Sequence, residues 1–117
     1  MRILLTVALA VCISGLFCAG CGFLTSSAKV EYEITGTAST VFVTLSNASG
    51  GTEQFSGVPV PHNYTFEEYT YWYPYISARN EGDEGSVIVT IYVDGEVVAT
   101  STSSGAYVTA TASHIRL

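Results

Sequence analysis

The sequence predicts an all-β protein: an immunoglobulin-like β-sandwich of about seven strands behind an N-terminal helical signal or anchor segment. Three observations predict it. From Val30 onward the apolar residues recur with a period of two rather than 3.6. Turn signals built from Gly, Pro, Asn and Asp return about every 8–12 residues. No segment after the leader has the apolar spacing of an amphipathic helix. A closed barrel is the alternative arrangement of the same strands.

The leader comes first. Residues 3–24 carry no charge and follow a single Arg2. A short positive region, a long apolar run and small residues at its end are the marks of a secretory signal. The run ends in Cys18-Ala19-Gly20-Cys21, and Ala19-Gly20-Cys21 resembles the lipobox of bacterial lipoproteins, whose cysteine is acylated and becomes the mature N-terminus. On this reading residues 1–20 are the signal peptide, Cys21 is the lipidation site, 21–29 form a tether and 30–117 the folded domain. The alternative is an uncleaved transmembrane helix, because about 20 apolar residues span a bilayer. Both readings leave Arg2 on the inner side and the domain extracytoplasmic at the cell membrane. Cys12 and Cys18 leave with a cleaved leader, so the mature chain keeps one lipidated cysteine and no disulfide.

In the domain, Val30, Tyr32 and Ile34 alternate with Glu31 and Glu33, the pattern of a half-buried strand. Thr40 to Ser46 is β-branched and closes on the turn cluster Asn47-Ala48-Ser49-Gly50-Gly51. Gln54 to Val58 reads as a short strand ended by Pro59 and Pro61. Tyr69 to Arg79 reads as one mostly extended segment, with Pro74 marking an edge or a bulge. Ser86 to Val93 and Glu96 to Thr100 flank Asp94-Gly95, a two-residue hairpin turn of type I′, which requires positive φ at both positions. Ser103-Ser104-Gly105 is a second turn, and Ala106 to Ser113 a final strand.

The densest chemical feature is aromatic. Tyr64, Phe66, Tyr69, Tyr71, Trp72, Tyr73 and Tyr75 fall within twelve residues. On a single strand, Tyr69, Tyr71, Tyr73 and Tyr75 share one face, and Trp72 and Ile76 the other. The Trp72/Ile76 side is expected to face the core, leaving the tyrosine stripe as a partner- or ligand-binding face. The plainer reading is that tyrosine simply suits strands.

Composition mostly excludes. Of 117 residues, four Lys+Arg stand against ten Asp+Glu, a formal charge of −6, so no cationic footprint for nucleic acid can be assembled. Hydrophobic residues at 48% and charged residues at 12% are the opposite of a disordered composition. His62 and His114 are the only imidazoles and have no metal-ligand spacing. Glu81, Asp83 and Glu84 sit among glycines but lack the oxygen register of a calcium loop. No nucleophile motif appears, and Glu67-Glu68 diverge as neighbours, so no enzyme and no cofactor are expected. Asn47-Ala48-Ser49 and Asn63-Tyr64-Thr65 are formal glycosylation sequons.

Four strings stand in order: Val30-Glu31-Tyr32-Glu33-Ile34-Thr35-Gly36-Thr37-Ala38, Gly50-Gly51-Thr52-Glu53-Gln54, Val58-Pro59-Val60-Pro61 and Ile76-Ser77-Ala78-Arg79-Asn80. Together they resemble the MmpS family, the small partners of MmpL transporters. Val93-Asp94-Gly95-Glu96-Val97-Val98, followed by Ser103-Ser104-Gly105-Ala106-Tyr107, is similar to the family's terminal hairpin. The sequence departs from the family at His62, where a Trp is usual, and at Val89 and Ala112, where many members have cysteines. The resemblance implies an accessory role beside an MMPL-type exporter, of the RND superfamily, that moves lipids or siderophores. The other reading is a cell-envelope lipoprotein that binds or adheres through its tyrosine-rich face.

Overall fold

A computed structural model describes residues 27–116. The signal segment, Cys21 and most of the tether lie outside the described residues. The described residues form eight strands: β1 Ala28–Thr35, β2 Thr40–Ser46, β3 Thr52–Pro59, β4 His62–Tyr69, β5 Tyr75–Asn80, β6 Ser86–Val93, β7 Glu96–Ser104 and β8 Thr109–Ser113. They make two separate four-stranded antiparallel sheets, ordered β4-β1-β6-β7 and β3-β2-β5-β8. This is a β-sandwich with two layers. β1 pairs with β4 and β6 and not with β2, so the likeness to immunoglobulin domains is one of architecture rather than strand order.

Alternation builds the core. Val30, Tyr32 and Ile34 of β1 are fully buried, and so are Val41, Val43 and Leu45 of β2. Val87, Val89 and Ile91 of β6 and Ile76 and Ala78 of β5 complete the two inner faces. Each large aliphatic side chain so removed from water contributes about 1.5–3 kcal/mol. The Asp94-Gly95 turn has φ of 51° and 85°, as a type I′ hairpin demands. It is tied to the start of β1: the Asp94 amide donates to the Lys29 carbonyl at 2.8 Å, and the Lys29 amide to the Asp94 carboxylate at 3.0 Å.

Three expectations are corrected. β4 is an additional strand where only an aromatic cluster was expected. Tyr69 to Arg79 is not one strand: β4 ends at Tyr69, residues 70–74 form a loop, and β5 starts at Tyr75. Pro74 lies in that loop, where its missing N–H costs no ladder bond. The last strand is shorter than expected, because residues 105–108 are used in crossing between the sheets, with Tyr107 at φ 55°.

Successive strands run in opposite directions, so the connections gather at two poles. One pole, here the terminal pole, carries both described chain ends, the 47–51 and 70–74 loops and the Asp94-Gly95 turn. The other, the turn pole, carries residues 36–39, 60–61, 81–85 and 105–108. Buried Asn80 organises the turn pole. Its Nδ2 donates to the Glu84 and Gly105 carbonyls at 2.8 and 3.0 Å, and its Oδ1 accepts from the Gly82 amide at 2.8 Å.

The edge strands are irregular. Between Phe55 and Val58, β3 spends three steps where β2 spends two, so it bulges at Ser56-Gly57. There the Gly57 amide donates to the Glu81 carboxylate at 3.1 Å. β4 bulges likewise at Glu67-Glu68, and β7 near Val98.

Candidate functional site

The chemistry-bearing residues lie mainly at the terminal pole and along the side of the sandwich between β3 and β4. Of the four stripe tyrosines, Tyr69 is fully buried and belongs to the core. The bulge at Glu67-Glu68 shifts the alternation of β4 by one, so Tyr69 joins Tyr64 and Phe66 on the inner side. Tyr71 and Tyr73 belong to the loop and Tyr75 to β5. The four do not form one face. Trp72, expected in the core, is 57% exposed.

Beneath the loop is a hydroxyl hub. The Tyr32 hydroxyl donates to the Ser46 carbonyl at 2.8 Å and lies 3.0 Å from the Tyr69 hydroxyl. Ser46 Oγ is 2.7 Å from the Tyr69 hydroxyl, donates to the Tyr73 carbonyl at 3.3 Å and accepts from the Tyr75 amide at 3.0 Å. The two tyrosine rings meet edge to face at 6.5 Å. One assignment of protons satisfies the hub: Tyr32 to the Ser46 carbonyl, Tyr69 to Ser46 Oγ, and Ser46 to Tyr73. Burial pushes both phenols above the ordinary tyrosine range. They stay neutral in neutral solution and act as hydrogen-bonding posts.

The loop is pinned on its other sides by backbone. The Thr70 and Tyr71 amides both donate to the Ala48 carbonyl, at 3.1 and 3.0 Å. The Tyr71 ring lies over Gly50, whose φ is +97° and where an added Cβ would come within 2.7 Å of the ring. Only glycine suits both demands. From the C-terminal tail, the His114 amide donates to the Pro74 carbonyl at 3.0 Å and the Arg116 amide to the Trp72 carbonyl at 2.8 Å. Arg116 Nη1 reaches the Tyr71 carbonyl at 2.9 Å. The backbone is therefore held by its neighbours while the Trp72 ring projects outward, flanked by Tyr71 and Tyr73 at 6.1 and 5.7 Å.

Along the β3/β4 side runs an aromatic seam that sequence reasoning missed. Phe55 stacks on Tyr64 at 5.1 Å across the two sheets, and His62 meets the Tyr64 ring at 4.6 Å. Phe66 packs edge to face on Tyr32 at 5.9 Å and on Tyr69 at 5.7 Å. Burial also raises the Tyr64 phenol. The signal was present in the alternation His62, Tyr64, Phe66, but it was absorbed into a single aromatic cluster. On the opposite side, Ala99, Ala110 and Ala112 fill the interior, and Ser103 Oγ closes across the sheets to the Thr109 carbonyl at 2.9 Å.

The remaining features are accounted for locally. Among the described residues no three His, Cys, Asp or Glu side chains gather as a metal site. Glu81, of the acidic loop, serves the β3 bulge. The Asn47 side chain accepts from the Ser49 and Gly51 amides within its own turn and donates to Glu53 at the start of β3. Asn63 is exposed and donates to Glu31 at 2.7 Å. On the outer face the Tyr92 hydroxyl donates to Glu33 at 2.8 Å, and that bond, with the carboxylate charge, pushes the pKa of the phenol above its ordinary value. No known protein-family model matches the chain, and no curated protein matches it.

Proposed function

We propose that this chain is a membrane-anchored, extracytoplasmic, non-enzymatic accessory protein, acylated at Cys21 and working beside an MMPL/RND-type exporter of lipids or siderophores. The observation that carries the anchored part is topological. β1 starts at the terminal pole, at the end of the 21–29 tether and four residues after the uncharged run from Ile3 to Leu24. The order of the motifs from Val30 to Tyr107 supports the exporter as partner. With the terminal pole toward the bilayer, the β3/β4 side faces laterally. Its seam of Phe55, Tyr64 and His62 then offers a membrane-embedded protein a rigid aromatic surface of the kind that dominates interfaces.

The test is purification of the full chain, crosslinked in its native membranes and extracted in detergent. A polytopic exporter is expected in the eluate, and its recovery should fall when Phe55 and Tyr64 are both changed to Ser. An eluate without any transporter overturns the exporter reading. Resistance of the chain to metabolic fatty-acid labelling, with Cys21→Ser indistinguishable from wild type, overturns the acylation.

A further inference from the structure

We propose that the Tyr71-Trp72-Tyr73 loop is a second membrane contact, seated in the interfacial layer of the bilayer that holds the anchor. The inference rests on the anchoring reading above and adds a surface to it. Five large apolar side chains stand out from the described residues: Phe55, Trp72, Val97, Tyr107 and Ile115. Phe55 belongs to the lateral seam and Tyr107 to the turn pole. The other three, Trp72, Val97 and Ile115, gather at or near the terminal pole and are each at least half exposed.

Reach and chemistry both fit. Six residues separate Cys21 from Ala28, a span of at most about 25 Å when fully extended. Ala28 is paired with Tyr69, immediately before the loop. Sheets of a sandwich lie about 10 Å apart, so a lipid at Cys21 holds the whole terminal pole close to the headgroups. Trp and Tyr favour that layer, with an apolar ring below and a polar group toward water. The loop's backbone is fixed by Ala48, Pro74-His114 and Arg116, so little order is lost when the ring enters lipid.

The charges at this pole identify the kind of lipid contact. Lys29 and Arg116 are offset by Glu67, Glu68, Asp94 and Glu96. The contact is therefore interfacial and apolar, and anionic headgroups do not strengthen it.

Trp72 is the only tryptophan, so its emission reports this loop alone. The experiment uses the full chain extracted from its membranes and reconstituted into phosphatidylcholine vesicles, with or without bromine on the acyl chains. Trp72 emission should shift to the blue and fall about twofold with chains brominated near the headgroup, the depth reached by interfacial side chains. Adding phosphatidylglycerol should not increase the quenching. A Trp72→Phe, Tyr107→Trp variant moves the reporter to the turn pole and should be unaffected by bromine.

Failures are separable. A chain that does not float with the vesicles overturns the anchoring and the contact together. A chain that floats, with Trp72 quenched no more than the Tyr107→Trp reporter, leaves the anchoring and overturns the contact. Trp72 shielded from aqueous acrylamide yet untouched by brominated lipid places a protein against the loop and also overturns it.

Discussion

The two poles of the sandwich are each closed over one buried polar centre, and the centres are of different kinds. At the turn pole, the Asn80 amide ties 80–85 to 105–108 through two donated bonds and one accepted bond. At the terminal pole, the Tyr32, Ser46 and Tyr69 hydroxyls hold the aromatic loop against the sheets. An amide presents fixed donors and acceptors and does not titrate, whereas hydroxyls can pass their protons around a ring and can ionise. The comparison teaches why the poles bear different surfaces. The turn pole needs only to bring turns together, while the terminal pole must hold a row of aromatic residues with its largest ring facing outward.

The largest expected effect strikes the turn pole. Asn80→Leu removes three hydrogen bonds from a fully buried side chain, leaving two carbonyls and the Gly82 amide without their partner, and should cost about 3 kcal/mol. Urea unfolding measures it, and a loss below about 1 kcal/mol would show that water replaces the amide. The next effect belongs to the terminal pole alone. Below pH about 10 the phenols of Tyr32 and Tyr69 are protonated both folded and unfolded, and their contribution is constant. Above it the unfolded chain releases protons that the folded hub retains, so stability falls as pH rises, by at most about 1.4 kcal/mol per pH unit for each tyrosine. Urea midpoints at pH 9, 10 and 11 trace this slope, which should be unchanged in Asn80→Leu.

Tyr69→Phe is smaller. It keeps the ring and removes one hydroxyl, costing about 1–2 kcal/mol at neutral pH and making the alkaline slope shallower. An unchanged slope would place the retained proton elsewhere. Trp72→Ala is the smallest, within about 0.5 kcal/mol in detergent-free solution, because its ring is more than half exposed and meets the rings of its own loop neighbours Tyr71 and Tyr73. A larger loss by thermal melting would make Trp72 a structural residue and erase the contrast between the poles.

Much of the scaffold is legible in short-range pattern. Val30, Tyr32 and Ile34 alternate with glutamates and are buried as read, and Asp94-Gly95 turns with positive φ at both residues. The aromatic region was misread because its structure depends on distant partners. The β4 bulge reverses the alternation between Phe66 and Tyr69, and nothing local to Glu67-Glu68 announces it. Tyr69 is buried because Tyr32 and Ser46, 37 and 23 positions away, supply partners for its hydroxyl. Once the strand ends there, the face assignments for Trp72 and Tyr71 to Tyr75 no longer apply. The Phe55–Tyr64 stack joins the edges of different sheets, a proximity that a linear reading of either strand does not reveal.

The irregular edges have a consequence for life at high density. At high concentration a β-sandwich meets its own copies edge to edge. Straight, open strand edges would then pair from molecule to molecule and grow into ribbons. Here three of the four edge strands, β3, β4 and β7, are bent by a bulge, and the fourth, β8, spans five residues. The Glu81 carboxylate also occupies the amide at the β3 bulge, leaving one donor fewer for a neighbour. The same departures from regular pairing that obscured the aromatic strand leave, among the described strands, no long straight edge for a second copy to extend.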